Sequence, residues 1–234
     1  MKKFIAINAG IAALVGSGIA EAGYSPYYIG GALGKGQNNA NETQFCPPCG
    51  DSQFTVNKKS SGATKVHKIY GGANLTSTFS VEGEYANLGD TYSLDMYRPE
   101  NGVPGGRAEF AKARQKTRGI GVSAKANRRV SRKTAVFGKV GAFAWENKNS
   151  MDYTNLDGIN ETYKTTDRGI SPTLGVGVEH ELGNNWSVRM GWDRYFNTGK
   201  GEQFLHLDDN RNFTDLRSVK TDTDMIYVGA TFNF

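Results

Sequence analysis

The residues with the most recognisable chemical spacing are Cys46 and Cys49, which enclose two prolines in the stretch CPPC. Such a pair is redox-active where it lies between a strand and a helix of a thioredoxin-like unit. No strand-to-helix pattern surrounds this pair, which lies in a long polar segment. We therefore expect a local disulfide that forms after export, outside the reducing cytoplasm.

Other catalytic and metal-binding patterns are weak. A metal site would need two more soft ligands beside the cysteines, and the three histidines lie far apart, at positions 67, 180 and 206. On a lipid-facing surface, His67 and His180 would suit a lipid-modifying enzyme such as a deacylase or palmitoyltransferase, but the sequence shows no convincing serine or acidic partner for either. The sequence therefore predicts no catalytic residue, no metal and no cofactor, and the lipid-modifying enzyme is the third of three alternatives.

The first 22 residues are typical of an export signal. Lys2 and Lys3 precede an apolar stretch from Phe4 to Ile19, and Ala20–Ala22 fits the small-x-small cleavage rule. We expect the signal peptide to occupy residues 1–22 and a single domain to occupy 23–234. Nothing after Gly23 approaches the roughly 18 apolar residues that a membrane helix needs.

The remaining chain alternates between apolar and polar residues in eight segments, which is typical of strands. These segments lie near residues 26–35, 65–75, 78–89, 118–128, 134–146, 168–182, 186–197 and 223–234. Short turns and long joins alternate between them, and the long joins cover roughly 37–64, 90–117, 147–167 and 198–222. Because the long joins are polar and rich in Gly and Asn, we expect them to lie in solvent. This pattern predicts an all-β fold, an eight-stranded antiparallel up-and-down barrel with short turns at one end and four long loops at the other.

The charges fall on one face of these strands. Every segment has one phase without charge, and the opposite phase carries four basic and four acidic residues: Lys68, Glu82, Glu84, Lys125, Lys139, Glu179, Arg189 and Asp193. A soluble barrel would be apolar inside and charged outside, whereas a bilayer requires an apolar exterior. The sequence therefore predicts a transmembrane barrel whose interior charges pair with one another.

Four stretches resemble the OmpA family of eight-stranded outer-membrane barrels. YYIGGALG resembles the family's first strand, and KIYGGANLTSTFSVEGEYANLGD its first periplasmic hairpin. GIGVSAKANRRVSRKTAVFGKVGAFAW and GISPTLGVGVEHELGNNWSVRMGWDRYFNTG are similar to the second and third hairpins. The resemblance covers nearly all of the chain between the long loops, and it implies a monomeric integral protein of the Gram-negative outer membrane.

The resemblance also implies roles for particular residues. An interior ionic cluster carries over by position to Glu82, Lys125, Glu179 and Arg189, which all lie on the inward phase. Phe234 resembles the terminal aromatic by which the barrel-assembly machinery recognises its substrates. Full-length family members continue into a peptidoglycan-binding domain that this sequence does not contain, so we expect the barrel-only branch.

The stretch RAEFAKARQKTR carries five basic residues, Arg107, Lys112, Arg114, Lys116 and Arg118. From the second long loop they would approach the outer leaflet, where lipopolysaccharide presents phosphate groups that arginine binds well. The alternative is an ordinary solvated flank of a loop, and the sequence favours this second interpretation.

Two further functions compete with the enzyme. The first expectation is a structural and interaction barrel whose loops contact host surface molecules, in envelope integrity, adhesion or resistance to host defence. The second is a small pore of low conductance. No nucleic-acid partner is expected, and the mild net charge of +5 is uninformative by itself.

Overall fold

The computed structural model describes residues 26–39, 55–57, 64–99, 108–154, 158–201, 205–207 and 213–234. Its strands are β1 (Tyr27–Asn38), β2 (Thr55–Asn57), β3 (Thr64–Asn74), β4 (Phe79–Pro99), β5 (Ala108–Arg129), β6 (Thr134–Thr154), β7 (Asn160–Gly183), β8 (Trp186–Tyr195), β9 (Leu205–Leu207), β10 (Phe213–Leu216) and β11 (Thr223–Asn233). Within these residues, no helix has the length and hydropathy needed to cross a membrane. The proposed signal peptide lies outside the described residues and stays a prediction.

Eight of the strands form one closed antiparallel ring in the order β1-β3-β4-β5-β6-β7-β8-β11, and β11 pairs with β1 to close it. The closing register runs from Tyr28↔Asn233 to Asn38↔Thr223. Because every barrel strand has a neighbour on both sides, the part of each strand within the ring has no free edge. The predicted eight-stranded barrel is confirmed.

The end of β11 belongs to this ring. The N–H of Phe234 donates to the carbonyl oxygen of Tyr27 at 2.9 Å, and the N–H of Tyr27 donates back to Phe234 at 3.2 Å. The Phe234 ring lies 6.2 Å from those of Tyr27 and Phe232, and Trp186 lies 5.1 Å from Phe232. Aromatic side chains therefore gather at this end of the barrel, as they do at membrane interfaces.

Short turns connect the strands at that same end, which we call the turn end. Between β7 and β8, Asn184 and Asn185 have φ angles of 52° and 69°, as a two-residue type I′ hairpin requires. Between β5 and β6, the hydroxyl of Ser131 accepts the N–H groups of Lys133 and Thr134. These local hydrogen bonds fix the register of the hairpins. We call the opposite end the loop end.

The two faces of the barrel wall differ as the alternation predicts. Ile170, on the outer face, is 77% exposed, whereas Arg189, on the inner face, is fully buried. The outer face carries the large apolar residues in a belt around the ring, among them Ile29, Leu33, Ile69, Ile120, Val140, Val176, Met190, Ile226 and Val228. The inner face carries all eight of the charges assigned to it.

Four strands are longer than the sequence predicts. The strands β4 to β7 have 21, 22, 21 and 24 residues, whereas the other four barrel strands have 10 to 12. Residues 90–99, 108–117, 147–154 and 160–167 therefore form an extended sheet at the loop end, where the sequence predicted solvated loops. The prediction required one apolar phase in each strand. It therefore ended each strand too early, because a sheet beyond the lipid has polar residues on both faces.

A charge placed on the outer belt tests whether it faces lipid. Val228→Arg puts a cation near the middle of β11, and we expect it to lower the free energy of unfolding by about 2–4 kcal/mol. Leu182→Arg, beside the turn end, is the matched control and should cost about 0–1 kcal/mol. Urea unfolding of barrels refolded into lipid vesicles measures both. Equal losses would contradict a lipid-facing belt.

Candidate functional site

The lumen of the barrel holds three layers of polar side chains. The lower ionic cluster, nearest the turn end, consists of Glu82, Lys125, Glu179 and Arg189. The upper ionic cluster, nearer the loop end, consists of Lys68, Glu84, Lys139 and Asp193. The polar cap lies above both and consists of Thr91, Gln115, Thr117, Asn147 and Thr198.

The lower cluster joins four strands, because β4, β5, β7 and β8 each contribute one member. Arg189 Nη1 lies 2.6 Å from Glu82 Oε2, and Arg189 Nη2 lies 3.1 Å from Glu179 Oε2. Lys125 Nζ also contacts Glu179 Oε2, at 3.2 Å. The Ser187 hydroxyl donates to the other Glu179 oxygen at 2.7 Å. The structure thus brings together the four residues that the family resemblance proposed.

The upper cluster has the same charge balance. Lys139 Nζ lies 2.9 Å from Glu84 Oε2 and 3.0 Å from Asp193 Oδ2, and Lys68 Nζ pairs with the same Asp193 oxygen. Lys139 also lies 3.4 Å from Glu82 Oε1, which joins the two clusters into one network. Sequence reasoning placed these residues on the inner face but did not group them, since grouping requires the register between distant strands.

Aromatic rings and one glycine complete this network. The hydroxyls of Tyr28 and Tyr195 donate to Glu82 and Glu84, each at 2.9 Å. At position 175, a Cβ atom would lie 2.2 Å from Asp193 Oδ1 and 2.7 Å from Lys139 Cε. A larger residue there would displace these two charged side chains, so glycine leaves room for the ion pairs.

The polar cap holds a segment of the last long join inside the mouth of the barrel. The side-chain amide of Gln115 donates to the carbonyl oxygen of Val219 at 3.2 Å and accepts the N–H of Val219 at 2.8 Å. Asn147 Nδ2 donates to the carbonyl oxygen of Thr198 at 3.1 Å. Thr198 and Thr221 pair through their backbones, and both are buried.

This inserted part, residues 197–201 and 218–222, corrects the sequence interpretation. The join 198–222 was predicted to lie in solvent because it is polar. Its backbone is instead satisfied by polar side chains of the inner wall, so a polar segment can be buried here. Gln115 and Asn147 lie on the inward-facing phases of β5 and β6. Their polar side chains on that phase were the sequence signal that a polar segment could be buried inside the barrel.

The predicted basic stretch lies on β5 and not in a loop. Lys112, Arg114, Lys116 and Arg118 alternate along the strand, and all four side chains are exposed on its outer face. Arg107 and the cysteine pair, Cys46 and Cys49, lie outside the described residues, so their proposed roles stay predictions.

The two histidines considered for a lipid-modifying site do not share a strand pair. His67 lies on β3 and His180 on β7, and both are exposed on the outer face. His180 Nδ1 lies 3.0 Å from the hydroxyl of Thr134.

Comparison with known proteins agrees with this architecture. Residues 9–234 match the family described as the outer membrane protein beta-barrel domain. The chain belongs to this family. Membership makes it an integral protein of the Gram-negative outer membrane. No curated protein sequence matches the chain significantly.

Solved structures of other outer-membrane proteins are similar to this chain at low sequence identity. Neisserial surface protein A is 12% identical, with a TM-score of 0.47, and the match covers 89% of this chain and 97% of that one. OprG from Pseudomonas aeruginosa is also 12% identical, with a TM-score of 0.47 and coverages of 90% and 97%. Ail, the attachment invasion locus protein of Yersinia pestis, is 11% identical, with a TM-score of 0.40 and coverages of 88% and 99%.

Removal of Arg189 tests the lumen network. Arg189→Ala leaves Glu82 and Glu179 without their shared cation. Breaking a buried pair in this way lowers the free energy of unfolding by about 3–5 kcal/mol, and the loss is smaller where water enters and hydrates the carboxylates. Arg194→Ala is the control, because Arg194 pairs with Asp222 at 2.9 Å on the outer rim. There we expect a loss of at most about 1 kcal/mol. Equal unfolding free energies for the two variants would contradict the network's role.

Proposed function

We propose that this barrel is a closed membrane scaffold that presents its extended sheet and loop-end segments outside the cell as an interaction surface. The observation that carries the proposal is the length of β4 to β7. The belt ends on β5 at Ile120, and the strand continues to Ala108, roughly 40 Å farther along its length. A barrel that served only to span the membrane would need strands of about 9–11 residues.

The lumen supports the same proposal. An eight-stranded barrel is only wide enough for its own side chains to fill the interior. Here the interior holds eight paired charges, and the segment at residues 197–201 and 218–222 lies across the mouth. The material that fills the barrel favours a scaffold over a channel. Adhesion, envelope integrity and resistance to host defence are the roles that such a surface would serve.

A trimmed variant tests where the function lies. In this variant, one short turn joins Ser93 to Arg114 and another joins Ser150 to Lys164, and the residues between them are deleted. Each turn connects two residues that already pair across neighbouring strands, so the variant loses only the outer half of the extended sheet. This variant keeps Gln115 and Asn147, and therefore the polar cap. We expect it to remain heat-modifiable on unboiled gels and to lose binding of whole cells to host matrix proteins. Retained binding by the trimmed barrel would contradict the proposal, as would absence of binding by the full chain.

The small pore is the second candidate, because the lumen is lined by charged and polar side chains. We expect the unaltered protein to give little steady conductance in planar bilayers. Arg189→Ala should be leakier, since it removes the largest fully buried side chain from the lower cluster. Large, steady single-channel currents from the unaltered protein would contradict the closed scaffold and favour the pore.

A further inference from the structure

A cluster of cations faces outward immediately above the apolar belt. Three neighbouring strands, β5, β6 and β7, carry Ile120, Ala144 and Ile170 side by side at the upper limit of the belt. The next outward row toward the loop end is Arg118, Glu146 and Arg168. In a bilayer, this row lies at the level where hydrocarbon gives way to headgroups.

One carboxylate in this row holds two guanidinium groups. Arg118 Nε and Nη2 lie 3.2 and 2.7 Å from Glu146 Oε1, and Arg168 Nε and Nη2 lie 2.9 and 2.7 Å from Glu146 Oε2. The Arg118 and Arg168 side chains remain 47% and 71% exposed. Glu146 therefore orients both guanidiniums while neutralising only one of their two positive charges.

The following outward row adds cations without matching carboxylates. Lys116 on β5 and Lys148 on β6 are direct cross-strand partners, and like charges in that position repel. Lys116 lies 3.9 Å from Asp90, but Lys148 has no carboxylate within ion-pair distance among the residues that the structure describes. An anion bound from outside would reduce this repulsion.

A fifth cation reaches the same place from the inserted segment. Lys200 lines an open depression of about 580 Å³ with five other residues: Arg118, Glu146, Lys148, Thr166 and Arg168. Four cations and one carboxylate line this depression. Asp167 lies 3.9 Å from Lys200, at the outer limit of an ion pair, and its Oδ2 atom already accepts the N–H of Ser218 at 2.6 Å. The positive charge is therefore concentrated in one concave site across three strands.

We propose that this depression binds the phosphate groups of a glycolipid in the outer leaflet, with Arg118 and Arg168 as paired forks and Lys148 and Lys200 beside them. Guanidinium groups bind phosphate oxygens through two parallel hydrogen bonds, and lysine adds a point charge. The inference rests on the proposed orientation, in which the loop end lies outside the cell. The sequence analysis expected the lipopolysaccharide contact on the basic stretch of β5 alone. The proposed site shares only Arg118 with that stretch and takes its other cations from β6, β7 and the inserted segment.

Phosphate recognition is tested on the purified full chain in nanodiscs. The probes are lipopolysaccharide, the same glycolipid with its phosphates removed, and inorganic phosphate. We expect lipopolysaccharide to bind and the dephosphorylated glycolipid to bind about tenfold more weakly or worse. Equal binding of both glycolipids would overturn the proposal, and so would inorganic phosphate binding as tightly as lipopolysaccharide.

The double variant Lys148→Gln with Arg168→Gln identifies the site. It should lose about tenfold or more in lipopolysaccharide affinity. The matched control, Arg128→Gln with Arg132→Gln, removes two exposed cations at the turn end and should keep the full affinity. Equal affinities of the two variants would overturn the assignment, and mobility on unboiled gels checks that both are folded.

The trimmed barrel separates this inference from the proposed function. It lacks the outer half of the extended sheet but keeps Arg118, Lys148, Arg168 and Lys200. We expect it to bind lipopolysaccharide with unchanged affinity while host binding is lost. Loss of lipopolysaccharide affinity in the trimmed barrel, when it is folded, would overturn the glycolipid site and leave the scaffold proposal to its own test.

Discussion

Charge balance inside the lumen is the constraint on which the rest of this barrel depends. A lone carboxylate or ammonium group in such a space would be strongly destabilising, because the narrow interior provides little water. Arg189 meets this constraint for the lower cluster by contacting both Glu82 and Glu179. Lys139 does the same for the upper cluster and also contacts Glu82, so the whole set behaves as one network.

The network also explains features of the wall around it. The Arg189 guanidinium lies 4.2 Å from the centre of the Tyr70 ring, and Lys68 Nζ lies 3.7 Å from that of Tyr227. Aromatic faces stabilise cations that are removed from water. Glycine at position 175 leaves the space that Asp193 and Lys139 occupy. Because the centre of the barrel is filled in this way, the proposed function lies on the surfaces beyond the lipid.

Because successive side chains of a strand point to opposite faces, one segment of β5 can contribute to the lumen and to the outer surface. On β5, Gln115 and Thr117 point inward and hold the polar cap, whereas Lys116 and Arg118 point outward toward the headgroup level. The cap and the basic cluster are thus built from alternate residues of the same strand. Lys200 connects them, since it belongs to the inserted segment and lines the outer depression.

The sequence predicted the parts of this arrangement that depend on periodicity. It placed all eight lumen charges on the inner face and identified eight strands, because lipid requires an apolar phase on the outside. It missed the extended sheet because the prediction required an apolar outer phase, and Lys112, Arg114 and Lys116 make that phase of β5 polar. It also missed the Glu146 and Arg168 partners of Arg118, because cross-strand neighbours follow from the register between β5, β6 and β7.

A double-mutant cycle on Glu82 and Arg189 tests the central claim most directly. Glu82→Gln, Arg189→Met and the double variant are compared with the unaltered protein by urea unfolding in lipid vesicles. If the pair belongs to a balanced network, the double variant loses less stability than the two single losses combined, by about 2 kcal/mol or more. Losses that add to within about 0.5 kcal/mol would show that the two residues are independent and would contradict the account.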